Sequence, residues 1–209
     1  MATGLMNKGG GSFAVESTRP QRILIAEDEH LVATDLAMNL RESGYKVVGP
    51  APDGETAMEL ARSGNPDLAL LDVRMPKRDG LSIAGEIYEE LGIPAVILSA
   101  FSDEEYLRLA RKVGVFGYLV KPAAAAQLRA CIEVAWGSYQ RALQAEKDND
   151  DLRRKLEERR VVERAKWILV QRKGMTESDA MHALQRHARS TRRKIVEVAQ
   201  QLLDANELI

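Results

Sequence analysis

Four side chains at the ends of apolar runs carry the chemistry of this sequence. Asp67-Leu68-Ala69-Leu70-Leu71-Asp72 places four apolar residues between two acids. Ile23-Leu24-Ile25-Ala26 leads into Glu27-Asp28-Glu29, and Phe116-Gly117-Tyr118-Leu119-Val120 leads into Lys121-Pro122. Short apolar runs of this kind read as buried strands. Polar groups at the C-terminal ends of such strands sit where open α/β sheets hold their ligands. Glu27, Asp28, Asp72 and Lys121 then make an acidic pocket with a built-in cation, suited to a divalent metal and a phosphoryl group. A hard divalent cation that keeps several waters needs only a couple of carboxylates plus a phosphate. Fixed positive charge stabilises a phosphoryl group in transfer.

The elements that must position these groups alternate along the front of the chain. Strands are expected at 22–26, 46–49, 67–71, 95–99 and 116–120, with amphipathic helices near 30–43, 54–63, 81–91 and 103–113. Gly44, Gly64, Gly92 and Gly114 follow these helices, as C-terminal caps do. Such alternation predicts an α/β fold with a parallel sheet covered on both faces. In the flavodoxin-like order 2-1-3-4-5 the ends of strands 1 and 3 are neighbours, so Glu27, Asp28 and Asp72 converge.

The chain has 209 residues, 45% of them apolar and 29% charged, enough for one and a half to two soluble domains. No apolar run approaches the ~20 residues of a membrane span. Residues 1–20 contain Gly9-Gly10-Gly11 and no apolar core, so they read as a flexible leader and not as a signal peptide. Cys131 is the single cysteine, which excludes a disulfide framework. A cytoplasmic protein with no membrane partner is expected. Charge is uneven: residues 138–209 hold 16 basic and 12 acidic side chains, whereas 1–137 hold 14 and 19. An acidic metal-binding front and a basic back that meets an anion would account for this.

From Ala123 to about Arg172 there is no proline and Gly137 is the only glycine, so a long helix is expected. Leu128, Ile132, Ala135, Tyr139 and Ala142 recur at spacings of four and three, a coiled-coil-like pattern. It fades over 146–151 and resumes at Leu152 and Leu156. Residues 146–151 read as a solvated helical linker, and homodimerisation through the flanks stays open. Beyond 161, three short apolar faces predict a small three-helix bundle, with Thr176 as an N-cap and a second break at Ser190-Thr191. Arg186, Arg189, Arg192, Arg193 and Lys194 cluster there without an acid. They could contact phosphates and unpaired bases, and composition alone equally allows a solvated face.

Residues 21–122 resemble the receiver domain of two-component response regulators. The resemblance rests on Glu27-Asp28, Asp72-Val73-Arg74-Met75-Pro76 with Asp79-Gly80, Ser99-Ala100 and Lys121-Pro122. It implies that Asp72 accepts a phosphoryl group from a histidine kinase. It implies that Glu27, Asp28, Asp72 and the Arg74 backbone carbonyl hold Mg²⁺. Ser99, Lys121 and Tyr118 would be the phosphate-sensing and switch residues, with Pro122 in the cis form. The chain would then be no enzyme beyond its own phosphoryl transfer and dephosphorylation.

Residues 161–206 resemble the ANTAR domain, the RNA-binding module of transcription antitermination regulators. The matching residues are Ala165-Lys166, Gly174-Met175-Thr176-Glu177, Ala180, Leu184, Arg186-His187-Ala188-Arg189 and Ala199. This resemblance implies hairpin RNA as partner, with Lys166, Arg186, Arg189, Arg192 and Arg193 as contacts. The organisation expected is a leader at 1–20, a receiver at 21–137, a helical, coiled-coil-like linker at 138–160 and an ANTAR bundle at 161–209. The whole is similar to phosphorylation-dependent antitermination regulators, which would dimerise, if at all, on phosphorylation. The competing reading is a response regulator with a DNA-binding or protein-interaction output.

Overall fold

The apolar runs do form the interior strands. In the computed structural model, which describes residues 19–100 and 114–207, β1 (Arg22–Ala26), β2 (Lys46–Ala51), β3 (Leu68–Asp72), β4 (Ala95–Ser99) and β5 (Val115–Val120) make one parallel sheet. Its order is β2-β1-β3-β4-β5. The expected helix near 103–113 lies outside the described residues, as does nearly all of the leader. Side chains alternate between the two faces of a strand. Leu24, Ala26, Ala69, Leu71, Ala95 and Ile97 accordingly enter one core, with Ala57 and Met58 of α2 (Gly54–Gly64) and Ile83 and Ile87 of α3 (Gly80–Leu91). Ile23, Ile25, Leu68, Leu70, Val96 and Leu98 enter the other, with Leu36 and Leu40 of α1 (His30–Glu42). A strand buried on both sides has no polar face, which is why these runs are continuously apolar.

β2 reaches two residues further than the sequence pattern predicts, through the cis Gly49-Pro50 bond. As an edge strand it tolerates a proline, which cannot donate to a ladder. Gly44 and Gly92 adopt left-handed backbone after their helices, as predicted. Gly64 does not. It stays inside α2, where a Cβ would come within 2.6 Å of Val48 Cγ1, and Asn65 takes the left-handed turn at φ 46°.

One helix, α4, runs unbroken over Ala125–Lys173. Leu128, Ile132 and Ala135 are not a free dimer seam: they are buried against Ile23, Ile25, Val96 and Leu98. A 3–4 spacing marks an apolar stripe without saying what covers it, and here the sheet does. Tyr139 closes this stretch, its hydroxyl donating to Gly92 O at 2.5 Å and its ring packing on Tyr88, Phe116 and Trp136.

The chain divides into two compact units, 1–141 and 142–209. The second contains the rest of α4, α5 (Glu177–Thr191) and α6 (Ile195–Glu207), packed around Val162, Ala165, Leu184, Ala188, Val198, Ala199 and Leu203. Thr176 caps α5, its hydroxyl accepting from Asp179 N at 3.1 Å. Ser190 and Thr191 do not open the last helix. They end α5, their hydroxyls donating back to His187 O, and the break falls at Arg192–Lys194.

Candidate functional site

Glu27 follows a strand whose last four residues are buried, and its backbone N–H donates to Ala51 O at 2.9 Å. It therefore enters the site still inside the protein, with no exposed side-chain surface, while Asp28 beside it is exposed. Asp72 ends β3 opposite Leu98 of β4. The chain beyond it turns back so closely that a Cβ on Gly80 would lie 1.9 Å from Asp72 O. Only hydrogen fits there. Gly80 N donates to Val73 O at 3.0 Å, and Asp79 caps α3 by accepting from Ser82 N at 2.9 Å. The Asp79-Gly80 pair thus has a local steric reason: one residue starts the helix and the other lets it touch the strand. Two ion pairs anchor the same loop to α2, from Lys77 to Asp53 at 2.9 Å and to Glu55 at 3.1 Å. No short-range pattern marks these pairs, and sequence reasoning missed them.

Lys121 reaches in from β5. Its backbone N–H donates to Ser99 O at 2.7 Å, which sets the two residues side by side, and Ser99 is buried. Its ammonium bridges Asp72 Oδ2 at 2.6 Å and Glu27 Oε2 at 2.5 Å. The Lys121-Pro122 bond is cis, as the sequence resemblance implied. Burial raises the Glu27 carboxyl above its ordinary range, and the hydrogen bond and charge of Lys121 only partly offset this. For Lys121 burial acts downward, but the hydrogen bonds to Asp72 and Glu27 outweigh it and hold the ammonium above its usual value. The proton stays on the lysine.

Glu27, Asp28 and Asp72 each offer an oxygen, and these lie within 4.8 Å of one another. Two of these three acids share the one ammonium of Lys121, so acidic groups outnumber the cation in the pocket. An all-oxygen donor set with one exposed side fits a hard divalent cation that retains water. Arg74 lies beside it with Asp28, Val73, Met75, Pro76 and Asp79 in an open hollow of about 450 Å³, and its N–H donates to Asp72 Oδ1 at 3.3 Å. Tyr118 is half-buried on the edge of the core formed with α2 and α3. The structure thus brings Glu27, Asp28, Asp72, Ser99 and Lys121 together with Arg74 beside them, whereas Tyr118 packs against the core on the α2 and α3 side of the sheet.

In the second unit Arg186, Arg189, Arg192, Arg193 and Lys194 are all exposed. None forms an ion pair among the described residues. Arg192 sits in left-handed backbone at φ 54°, and the turn is closed by Arg193 N donating to Ala188 O at 3.0 Å. Glycine is the usual occupant of that position. Lys166 differs from the arginines. Its ammonium lies 2.7 Å from Glu163 and 3.1 Å from Glu177, and its side chain is only 13% exposed. Its charge is met within the bundle, where it ties α4 to the first turn of α5.

Comparison with known proteins accords with both halves. Residues 23–133 match the response regulator receiver domain family, and residues 150–203 match the ANTAR domain family. The transcriptional regulatory protein PdtaR of Mycobacterium tuberculosis is 42% identical over 195 residues, covering 93% of this chain and 95% of that protein. The alkaline phosphatase synthesis transcriptional regulatory protein PhoP of Bacillus subtilis is 36% identical over 115 residues, 54% of this chain and 47% of its own. Among solved structures, the signal receiver domain of a modulated diguanylate cyclase from Desulfovibrio desulfuricans superposes with a TM-score of 0.54 at 34% identity. It covers 58% of this chain and 97% of that one.

Proposed function

We propose, from the premise that this chain belongs to the response regulators that join a receiver domain to an ANTAR domain, that it takes a phosphoryl group on Asp72 and answers by binding hairpin RNA. The observation that carries the first step is the Lys121 ammonium held between buried Glu27 and Asp72. An Asp72 oxygen attacks the phosphorus of a phosphohistidine on a sensor kinase; the P–O bond forms as the P–N bond breaks, and an acyl phosphate results. Glu27, Asp28, Asp72 and the Arg74 carbonyl would hold Mg²⁺, which supplies positive charge for the phosphoryl oxygens. Lys121 exchanges one carboxylate partner for a phosphoryl oxygen, and the Ser99 hydroxyl donates to another. Tyr118 follows Ser99 inward. Phosphorylation adds about 1.5–2 negative charges. A switch requires contacts that differ between the two states, and Ser99, Lys121 and Tyr118 provide them.

The output is read from Arg186, Arg189, Arg192 and Arg193, exposed cations at one helix junction, with transcription antitermination as the consequence. Lys166 joins them only if it leaves Glu163 and Glu177. Beyond its own phosphoryl transfer and dephosphorylation the chain carries out no catalysis in this reading. Among the described residues no helix is long and apolar enough to cross a membrane.

The test compares the protein with Asp72→Ala, each with and without acetyl phosphate and Mg²⁺, on a labelled two-hairpin leader RNA and on duplex DNA. Phosphorylation at Asp72 with tighter RNA binding, both lost in the variant, is expected. Phosphorylation with no preference for RNA would move the output to DNA or to a protein partner.

A further inference from the structure

The two tryptophans lie in opposite settings. Trp136 is 8% exposed, whereas Trp167 is 55% exposed on α4. A large aromatic ring left in water is worth explaining, because burying it is among the larger apolar gains available to a fold. Trp167 forms one wall of a groove of about 820 Å³ between α4 and α6, with Ile168 and Leu203 beside it and Arg159, Arg160 and Arg164 along the same lining. Two acids also line it, and each is met by a cation: Glu157 by Arg160 at 3.6 Å and Glu163 by Lys166 at 2.7 Å. Arg159 has no carboxylate partner among the described residues.

We propose that Trp167 is a stacking platform for an unpaired base of the RNA, with Arg159 holding the adjoining phosphate. This rests on the RNA-binding reading above and adds to the α5–α6 junction a second contact of a different kind. The junction offers charge alone, which reads a backbone; the groove offers a flat aromatic face beside charge, which selects an unpaired nucleotide over a paired one. Aromatic platforms with neighbouring cations are how proteins hold single-stranded nucleic acid. A second copy of this chain fits the groove less well. A helix seam needs apolar residues every three or four positions. Between Leu156 and Trp167 the same face of α4 carries Arg160 and Glu163. A copy of this chain would bury those charges, while a polyanion would use the arginine.

The test uses the full chain, its Trp167→Ala and Trp167→Phe variants, and two RNA probes. One is a hairpin pool with a fixed stem and a randomised loop. The other is the same stem closed by a flexible linker without bases. The expected result is quenching of Trp167 emission by the looped pool, absent in Trp167→Phe, where Trp136 alone emits. Trp167→Ala should bind the looped pool roughly ten-fold more weakly, with Trp167→Phe close to the parent because it keeps a ring. Both variants should bind the linker-closed stem as the parent does. Unchanged looped-pool binding in Trp167→Ala, with unchanged helicity, would overturn the platform and leave the RNA reading intact. A parent that takes up the phosphoryl group and binds neither probe would overturn both. A parent that sediments as a dimer with Trp167 shielded from acrylamide before RNA is added would assign the groove to a second copy.

Discussion

Lys121→Met removes the cation between Glu27 and Asp72 and keeps a side chain of similar length. The Glu27 side chain has no exposure and that of Asp72 has 11%. Stranding a charge in such a place costs about 3–5 kcal/mol. The site has an escape, because a proton on Glu27 also relieves its repulsion from Asp72. Starting from the ordinary glutamate value of 4.5, that proton costs ~3.4 kcal/mol at pH 7 and ~0.7 kcal/mol at pH 5, at ~1.36 kcal/mol per unit. The escape caps the penalty. Glu27 already lies above its ordinary value in the parent, and loss of Lys121 raises it further, so the added deficit is absent below the unfolded value and grows as pH rises through the folded one. The expected loss in EDTA is therefore about 2–3 kcal/mol at pH 7 and under ~1 kcal/mol at pH 5. Urea unfolding followed by Trp136 fluorescence, in a Trp167→Phe background, reads the first unit alone. Added Mg²⁺ should recover part of the loss at pH 7. Equal losses at both pH values, or a loss below ~0.5 kcal/mol of the kind seen for surface pairs, would refute the reasoning.

Three further outcomes follow from the geometry. Arg192→Gly relieves a left-handed arginine and should stabilise the second unit by about 1 kcal/mol. It should also lower the salt dependence of RNA binding by about one charge; a drop in melting temperature would contradict this. Asp53 is held at about 2 by the Thr56 N–H and then Lys77. Its contribution is complete above the ordinary 3.8 and fades as pH falls towards 2, so Asp53→Asn should flatten the pH dependence of the first unit's melting in that window. Leu184→Ala empties the buried centre of the small bundle at a cost of about 2–5 kcal/mol. Circular dichroism should show helix loss, with RNA binding gone and acetyl-phosphate labelling of Asp72 kept.

What the sequence disclosed and what it withheld divide along physical lines. The strands were legible because Ile23–Ala26, Leu68–Leu71 and Ala95–Leu98 are buried on both faces, and nothing but continuous apolarity satisfies that. The pocket was legible because chemistry-bearing residues follow such strands directly. The partner of an apolar stripe was not, so Leu128, Ile132 and Ala135 looked like a dimer seam when they cover the sheet. Caps were legible where a side chain does the capping, as at Thr176. They were legible too where glycine takes the left-handed turn, as at Gly44 and Gly92, and not where another residue takes it, as at Asn65 and Arg192. The fate of Lys166 depends on Glu177, which sits on another helix, and the exposure of Trp167 depends on how α6 packs. Neither has a signature within a short window.

The strands that feed the pocket differ in how firmly they are held. The last four residues of β1 and all five of β3 are buried, and they deliver Glu27 and Asp72. No residue of β5 is fully buried, and β5 delivers Lys121 from the margin of the sheet. Partly solvated edges open at lower free energy than sealed centres. The anions are thus mounted on the stiff part of the scaffold and the cation on the compliant part. Amide hydrogen exchange should reach β5 before β1 and β3. Whatever enters the pocket meets two carboxylates carried by sealed strands and a positive charge carried by a strand that opens more readily.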